Sequence, residues 1–341
     1  GIIANHQRLS ALLAAGILLL PATQYPATTW WSKPDLDREY VLSLDVEHYF
    51  GNIQKMKKHL ETDRQILWVT YYRNLYNATH PSEINSPVSL SRNLLAWNQP
   101  GTNGLILPVN PSASFLSILF ANELWFTLGD MTMAEHCAML SMIFSPRNSG
   151  SRMIKRLAEI NLVNGDDEAA LKYLRILDKT LLHKSWAEKR IPGQQTPRVK
   201  EWLEKKRRDI PTQDHLRSGN DAVTSLRNLV ASNAGNLRAY EYLLCYHLLS
   251  KDLRSFVEDY VPGKVSSSIF AEALLIHLAR QGNIRAEELI KYQIPVKIAK
   301  EFADYTRLYE AKDTSLKEKY GKTYWFYYHF ATTEPGKESK P

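Results

Sequence analysis

Two Glu-His pairs, Glu47-His48 and Glu135-His136, carry the side chains best suited to proton transfer or metal ligation. Each pair consists of neighbours on a helical pattern, so the two side chains point about 100° apart and do not converge on one reacting atom. A lone helical histidine is then read as a structural residue. Cys137 and Cys245 both fall in predicted helices, where small apolar packing is expected of them rather than a disulfide, and two cysteines define no framework. HExxH, GxSxG, GxxxxGK[ST] and CxxC do not occur, which removes the zinc-protease, serine-hydrolase, phosphate-loop and paired-thiol signatures. No catalytic, cofactor or metal residue is expected. The net charge of +7 and the run Lys205, Lys206, Arg207, Arg208 raise a nucleic-acid reading. Glu201, Glu204 and Asp209 are interleaved with that run and aromatic residues do not alternate with it. A solvated helix face is expected there, and no nucleic-acid partner.

With little chemistry in local motifs, the informative feature is how side chains are positioned. Ser151 to Leu177, SRMIKRLAEINLVNGDDEAALKYLRIL, reads as a helical hairpin. Ile154, Leu157, Ala158, Ile160 and Leu162 recur at helical spacing, and Ala169, Ala170, Leu171, Leu174 and Leu177 do so after a break. The break is Asn164-Gly165-Asp166-Asp167. Gly165 suits the left-handed end of one helix, and Asp166 or Asp167 accepts from the free N–H groups that open the next. Related turns stand at Gly51-Asn52, Gly129-Asp130, Lys251-Asp252 and Gly282-Asn283, with Gly129 lying 36 positions before Gly165. Five hairpins with one turn chemistry predict an array.

The hairpins resemble the tetratricopeptide repeat (TPR), a helix pair of about 34 residues with small residues at its crossing points. Ala158 and Ala170 match two such positions, while Trp125 and Pro146 match the aromatic and terminal-proline positions of the unit from Phe115 to Pro146. In TPR proteins the first helix of each pair lines a groove that grips extended peptides. The resemblance places Arg152, Lys155, Arg156 and Glu159 of the central unit there, with Glu123 and Phe126 of the unit before. Arg152 and Arg156 stand where certain TPR domains hold a peptide's terminal carboxylate. Leu119 and Glu123 replace the lysine and asparagine of that clamp. On this reading Arg152 and Lys155 are exposed charges that stability does not need, and the bland alternative is a solvated basic face.

Around the array, Ile2 to Ala22 approaches the roughly 20 apolar residues of a membrane helix. A buried core helix and a signal peptide's apolar region are the other readings of that stretch. Arg8, with no charge from Leu9 to Ser32, directs the soluble part outward by the positive-inside rule, and Trp30-Trp31 suits the interface. Asp35 to Glu61 is expected to form the first hairpin and Arg64 to Asn77 a third helix. The Pro- and Gly-rich segment 78–111 is either a packed loop or a binding loop. GKTYWFYYHF, Gly321 to Phe330, is read as a terminal cap over the last apolar face.

The phrases MIKRLAEINLVNGDDEAALKYLRILDKTLLHKSWAE, NLRAYEYLLCYHLLSKDL and TYWFYYHF together resemble a family of bacterial membrane proteins of unknown function. In that family a multi-pass amino-terminal half precedes a TPR-like soluble half. The resemblance implies that Ile2 to Ala22 is the last helix of such a membrane half. The expected chain is therefore all-α: a membrane remnant and interface over 1–31, a TPR-like solenoid over 32–330, and a disordered tail over 331–341. The expected role is an interaction or assembly scaffold at the periplasmic side of a bacterial inner membrane, with a protein or peptide partner. The alternative is an accessory domain to an enzyme or transporter housed in the membrane half.

Overall fold

The computed structural model describes residues 35–60, 67–79, 115–144, 150–212 and 221–331. These residues are all helix, turn or connection, with no strand among them. The expected span Ile2 to Ala22, most of the 78–111 segment, Pro146 and residues 332–341 of the tail lie outside the described residues. No helix among the described residues is long and apolar enough to cross a membrane.

The chain divides into two compact units between Ile66 and Leu67. The first unit contains α1 (Leu36–Phe50) and α2 (Ile53–Leu60), opened by Asp35, whose carboxylate accepts from the Arg38 N–H at 3.0 Å. Tyr40 donates to the His59 carbonyl across this pair and stacks on its ring.

The second unit runs through α3 (Leu67–Thr79), α4 (Phe115–Leu128), α5 (Met131–Phe144), α6 (Ser151–Asn164), α7 (Asp167–Asp178) and α8 (Lys184–Glu188). It continues with α9 (Pro197–Arg207), α10 (Ala222–Ser232), α11 (Leu237–Leu249), α12 (Leu253–Asp259) and α13 (Ser268–Arg280). The last four are α14 (Ala286–Lys291), α15 (Val296–Glu310), α16 (Leu316–Tyr320) and α17 (Tyr324–Phe330). Consecutive helices pack in pairs, α4 with α5, α6 with α7, α10 with α11 and α11 with α12, and α5 lies against α6.

One turn joins many of these pairs. Gly51, Gly129, Gly165, Lys251 and Gly282 all adopt positive φ, between 60° and 93°. The residue after each donates its N–H to a carbonyl five positions back, as in Asp130 to Trp125 at 3.0 Å and Asp166 to Asn161 at 2.9 Å. Asp130, Asp166 and Asp252 then cap the following helix through their side chains. A lysine in the left-handed region is costlier than glycine, and Lys251 is held there by what its side chain does. Its ammonium donates to the Ala331 carbonyl and lies over the rings of Tyr327 and Tyr328.

Gly129 is under a second constraint. A Cβ at this position would lie 2.3 Å from the Asp209 carbonyl oxygen, whereas one at Gly165 meets nothing within 4 Å. Gly129→Ala is expected to cost roughly 1–3 kcal/mol and Gly165→Ala less, because only the first adds a backbone collision to the strain of positive φ. Urea unfolding of the two variants side by side checks this; equal losses would remove the collision from the argument.

Every residue of α4 from Ile118 to Leu128 is buried, including the polar Asn122, Glu123 and Thr127. Buried polar groups require partners. Asn122 donates from Nδ2 to the Ala134 carbonyl at 2.6 Å, fixing α5 on α4. Cys137 and Cys245 are free and buried. Ala158 and Ala170 are both fully buried, and Ala158 packs in one core with Leu174, Leu177 and Ala187.

At the other end, α17 carries the aromatic block onto α13 and α16, and Trp325 meets the rings of Phe302 and Tyr305 on α15. Tyr324 and Tyr327 donate their hydroxyls to Leu248 and Leu249, two of the last carbonyls of α11. Trp325 donates from Nε1 to the Glu272 carbonyl at 2.9 Å, and the Tyr324 N–H donates to the Glu272 carboxylate at 2.6 Å.

Candidate binding site

Glu123 and Phe126 stand one turn apart on α4, and Arg152, Lys155, Arg156 and Glu159 fall on one face of α6 at helical spacing. The structure brings these residues together, five of them in direct contact with one another and Lys155 beside them. The Glu123 carboxylate, 5% exposed, accepts from Arg152 at 3.0 Å through one oxygen and from Arg156 at 2.8 Å through the other. Arg156 also lies 3.5 Å from Glu159, and its guanidinium covers the Phe126 ring at 3.9 Å. Arg152 is therefore no free surface charge. It ties α6 to α4, and the expectation that alanine there leaves stability unchanged is withdrawn.

Four further residues complete the cluster, all from the stretch after α7. Lys206 on α9 places its ammonium 4.5 Å above the Phe126 ring and donates to the Phe126 carbonyl at 3.3 Å. Trp202, one turn earlier, stacks on Phe126 at 6.4 Å between centroids. Arg190 lies 5.9 Å from the Trp202 ring and 4.1 Å from that of Trp186, to whose carbonyl it donates at 3.1 Å. Lys155 closes the circuit, 5.2 Å from the Trp186 ring. Three cations and three rings line a loop that runs Arg156, Phe126, Trp202, Arg190, Trp186, Lys155 and back to α6.

The same stretch corrects the expected solvated face at Lys205 to Arg208 in one member, Lys206. Lys205, Arg207 and Arg208 are exposed, as are Glu201 and Glu204, but Lys206 is half-buried, and both Lys206 and Arg207 donate to helix ends. The last carbonyls of α4 are all answered: Trp125 by the Asp130 N–H, Phe126 by Lys206, Thr127 by Arg238 at 3.0 Å and Leu128 by Asn236 at 2.7 Å. Arg207 donates to Leu162 at 2.7 Å and to Val163 at 3.0 Å, closing α6. Cations at helix carboxyl ends also meet the negative end of the macrodipole. These bonds set α9 across the ends of α4 and α6, which is what delivers Trp202 to the cluster.

Positive charge is in excess here. Five cations, Arg152, Lys155, Arg156, Arg190 and Lys206, face three carboxylates, Glu123, Glu159 and Asp209. Arg190 has no carboxylate partner among the described residues, and its Nε is shielded from solvent with no acceptor. Burial lowers the Lys155 ammonium from its ordinary range; Glu159 and Glu123 oppose that, and Arg156 and Arg190 add to it. Burial lowers Arg190 as well, opposed by Glu159 and reinforced by Arg198. Lys206 is brought down to about 8 by burial first, then by Arg238 and Arg156, against Asp209 and Glu159.

The Lys206 shift has a sign that can be measured. Between about 8 and its ordinary value of 10.5, the unfolded chain holds a proton on this amine that the folded chain has released. Stability from this group therefore rises with pH across that window and is lowest below it, where the folded state must carry the charge. Urea unfolding from pH 8 to pH 10.5 is expected to show this rise in the parent chain and a flatter profile in Lys206→Met. Parallel profiles would contradict the assignment.

Among the described residues, no group of three or more His, Cys, Asp or Glu side chains could hold a metal ion. The family model described as "Family of unknown function (DUF6057)" matches residues 3–331. No curated protein and no solved structure matches the chain.

Proposed function

We propose that this chain, which belongs to the family of unknown function DUF6057, is an interaction module: a TPR-like array of helical hairpins that captures an acidic segment of a protein partner. In this reading the array is a scaffold held at the periplasmic face of a bacterial inner membrane by the segment that precedes it. The observation that carries the binding role is Arg190, a guanidinium between two tryptophan rings with no carboxylate of its own in a cluster where cations outnumber carboxylates. Packing alone does not call for that. Helix ends already occupy Lys206, and Glu123 already answers Arg152 and Arg156. A carboxylate brought by a partner would relieve the crowding of Lys155 and Arg190, and the ring faces beside it offer apolar contact.

The test is photo-crosslinking in cells from Lys189 and Lys205, exposed residues beside Arg190 and Lys206. The reading expects a small set of discrete protein adducts from both sites, reduced at least fivefold by Arg190→Gln and absent from a probe at the exposed Lys317. Adducts indifferent to Arg190, or none at either site, would contradict it.

A further inference from the structure

The turn between α7 and α8 presents Leu181 and Leu182 at 103% and 85% relative exposure, the two most exposed large apolar side chains among the described residues. Hydrophobic residues on loops are commonplace singly, but two adjacent ones at full exposure on a braced turn are not. The bracing is explicit. Thr180 donates its N–H and its hydroxyl to the Leu177 carbonyl at 2.9 and 2.7 Å, and the His183 N–H donates to the Thr180 hydroxyl at 3.2 Å. Lys184 donates its N–H to the Thr180 carbonyl at 3.1 Å, and the buried His183 ring lies 3.2 Å from the Ser151 hydroxyl on α6. His183 and Thr180 thus anchor the turn inward, leaving the leucines no inward option. Ile176, 49% exposed, lies just before the turn on α7.

Charge surrounds this apolar tip. Arg175, Lys179 and Lys184 are exposed around it, against Asp178 as the nearest acidic residue in sequence. Two leucines and an isoleucine are a small footprint beside the ~1,200 Å² or more that a stable protein interface buries. A bilayer needs no shape complementarity, accepts short apolar side chains below its headgroups, and attracts lysine and arginine when those headgroups are anionic. We propose that the Leu181-Leu182 turn is a membrane-contact tip that dips into the surface of an anionic lipid bilayer, with Lys179, Lys184 and Arg175 at the headgroup level. The tip is distinct from the cation and ring cluster and from the segment before the array, so its role stands or falls independently of both.

The experiment places a nitroxide at Leu182→Cys in the full chain; Cys137 and Cys245 are buried and leave the new thiol as the site of labelling. Oxygen and a water-soluble nickel complex then report depth at that residue, whatever else holds the chain to lipid. On vesicles of one-third phosphatidylglycerol in phosphatidylcholine, the ratio of oxygen to nickel accessibility is expected to rise at least threefold over the lipid-free chain. Lys179→Glu with Lys184→Glu should abolish the rise, and a label at the exposed Lys205→Cys should show none. Because these substitutions are at exposed positions, an unchanged thermal melt shows that the comparison is between folded proteins. A label at 182 that stays in water on anionic vesicles overturns the proposal. So does an equal rise on pure phosphatidylcholine, or immobilisation without lipid, which would assign the tip to a second copy of the chain.

Discussion

Glu123→Ala is expected to destabilise the second unit by about 3–5 kcal/mol, because it removes the carboxylate to which two partly or fully buried guanidiniums donate. Glu123 is 5% exposed on a helix buried over eleven successive positions, Ile118 to Leu128, so water cannot readily replace it at Arg156. Arg156 keeps Glu159 at 3.5 Å and the Phe126 ring, which limits the loss without cancelling it. The effect is a property of the broken pair and not of its net worth. Replacing both members, Glu123→Leu with Arg156→Met, is therefore expected to recover a large part of the stability. Urea unfolding of the single and double variants measures both. A single variant that loses under about 1 kcal/mol would mean the pair behaves as an exposed surface bridge.

Trp325→Ala is expected to cost about 3–5 kcal/mol as well, by a different route. The indole is fully buried, in ring contact with Phe302 at 5.2 Å, Tyr305 at 5.5 Å and Tyr320 at 5.8 Å, and its N–H reaches the Glu272 carbonyl. Removing it empties the junction of α13, α15, α16 and α17 at once. Trp325→Phe keeps a ring but drops the donor, so its expected cost is smaller by roughly half. The same denaturation series reads both variants; equal costs would show that the hydrogen bond, not the packed volume, holds the cap.

Turns were the most legible part of the sequence because their chemistry is local. A glycine followed by Asp or Asn both ends one helix and caps the next, and Gly51, Gly129, Gly165 and Gly282 do take positive φ. Gln293 and Lys312 adopt the same backbone, at φ 54° and 52°, without the residue type that advertises it. The helix Val296–Glu310 between those turns was not anticipated. The aromatic block was legible as a cap by composition alone, though nothing local announced its anchorage on the α11 carbonyls Leu248 and Leu249, 76 and 78 positions away.

Six of the ten residues of the candidate site could be read and four could not. The resemblance to TPR hairpins pointed to Glu123, Phe126, Arg152, Lys155, Arg156 and Glu159. Trp186 enters on α8 and Arg190, Trp202 and Lys206 through the connection and helix that follow it, which spacing does not encode, with Lys206 bonding 80 positions back to Phe126. One signal was available: the pair Trp202 and Lys206, at i and i+4, puts a ring and a cation on one face of a helix otherwise rich in charge. The Lys205 to Arg208 run does meet solvent at three of its four positions; what spacing does not carry is that Lys206 and Arg207 also close the ends of α4 and α6.

The central claim, that Arg190 is a cation held in reserve for an incoming carboxylate, is tested most directly by the Nε–H resonance of its guanidinium in nitrogen-15 correlation spectra. The account predicts a signal that exchanges slowly with water, shifted by the Trp186 ring, and displaced further on titration with N-acetylaspartate while the Arg156 signal holds still. A resonance that exchanges like a surface arginine and does not move with the added anion would contradict it.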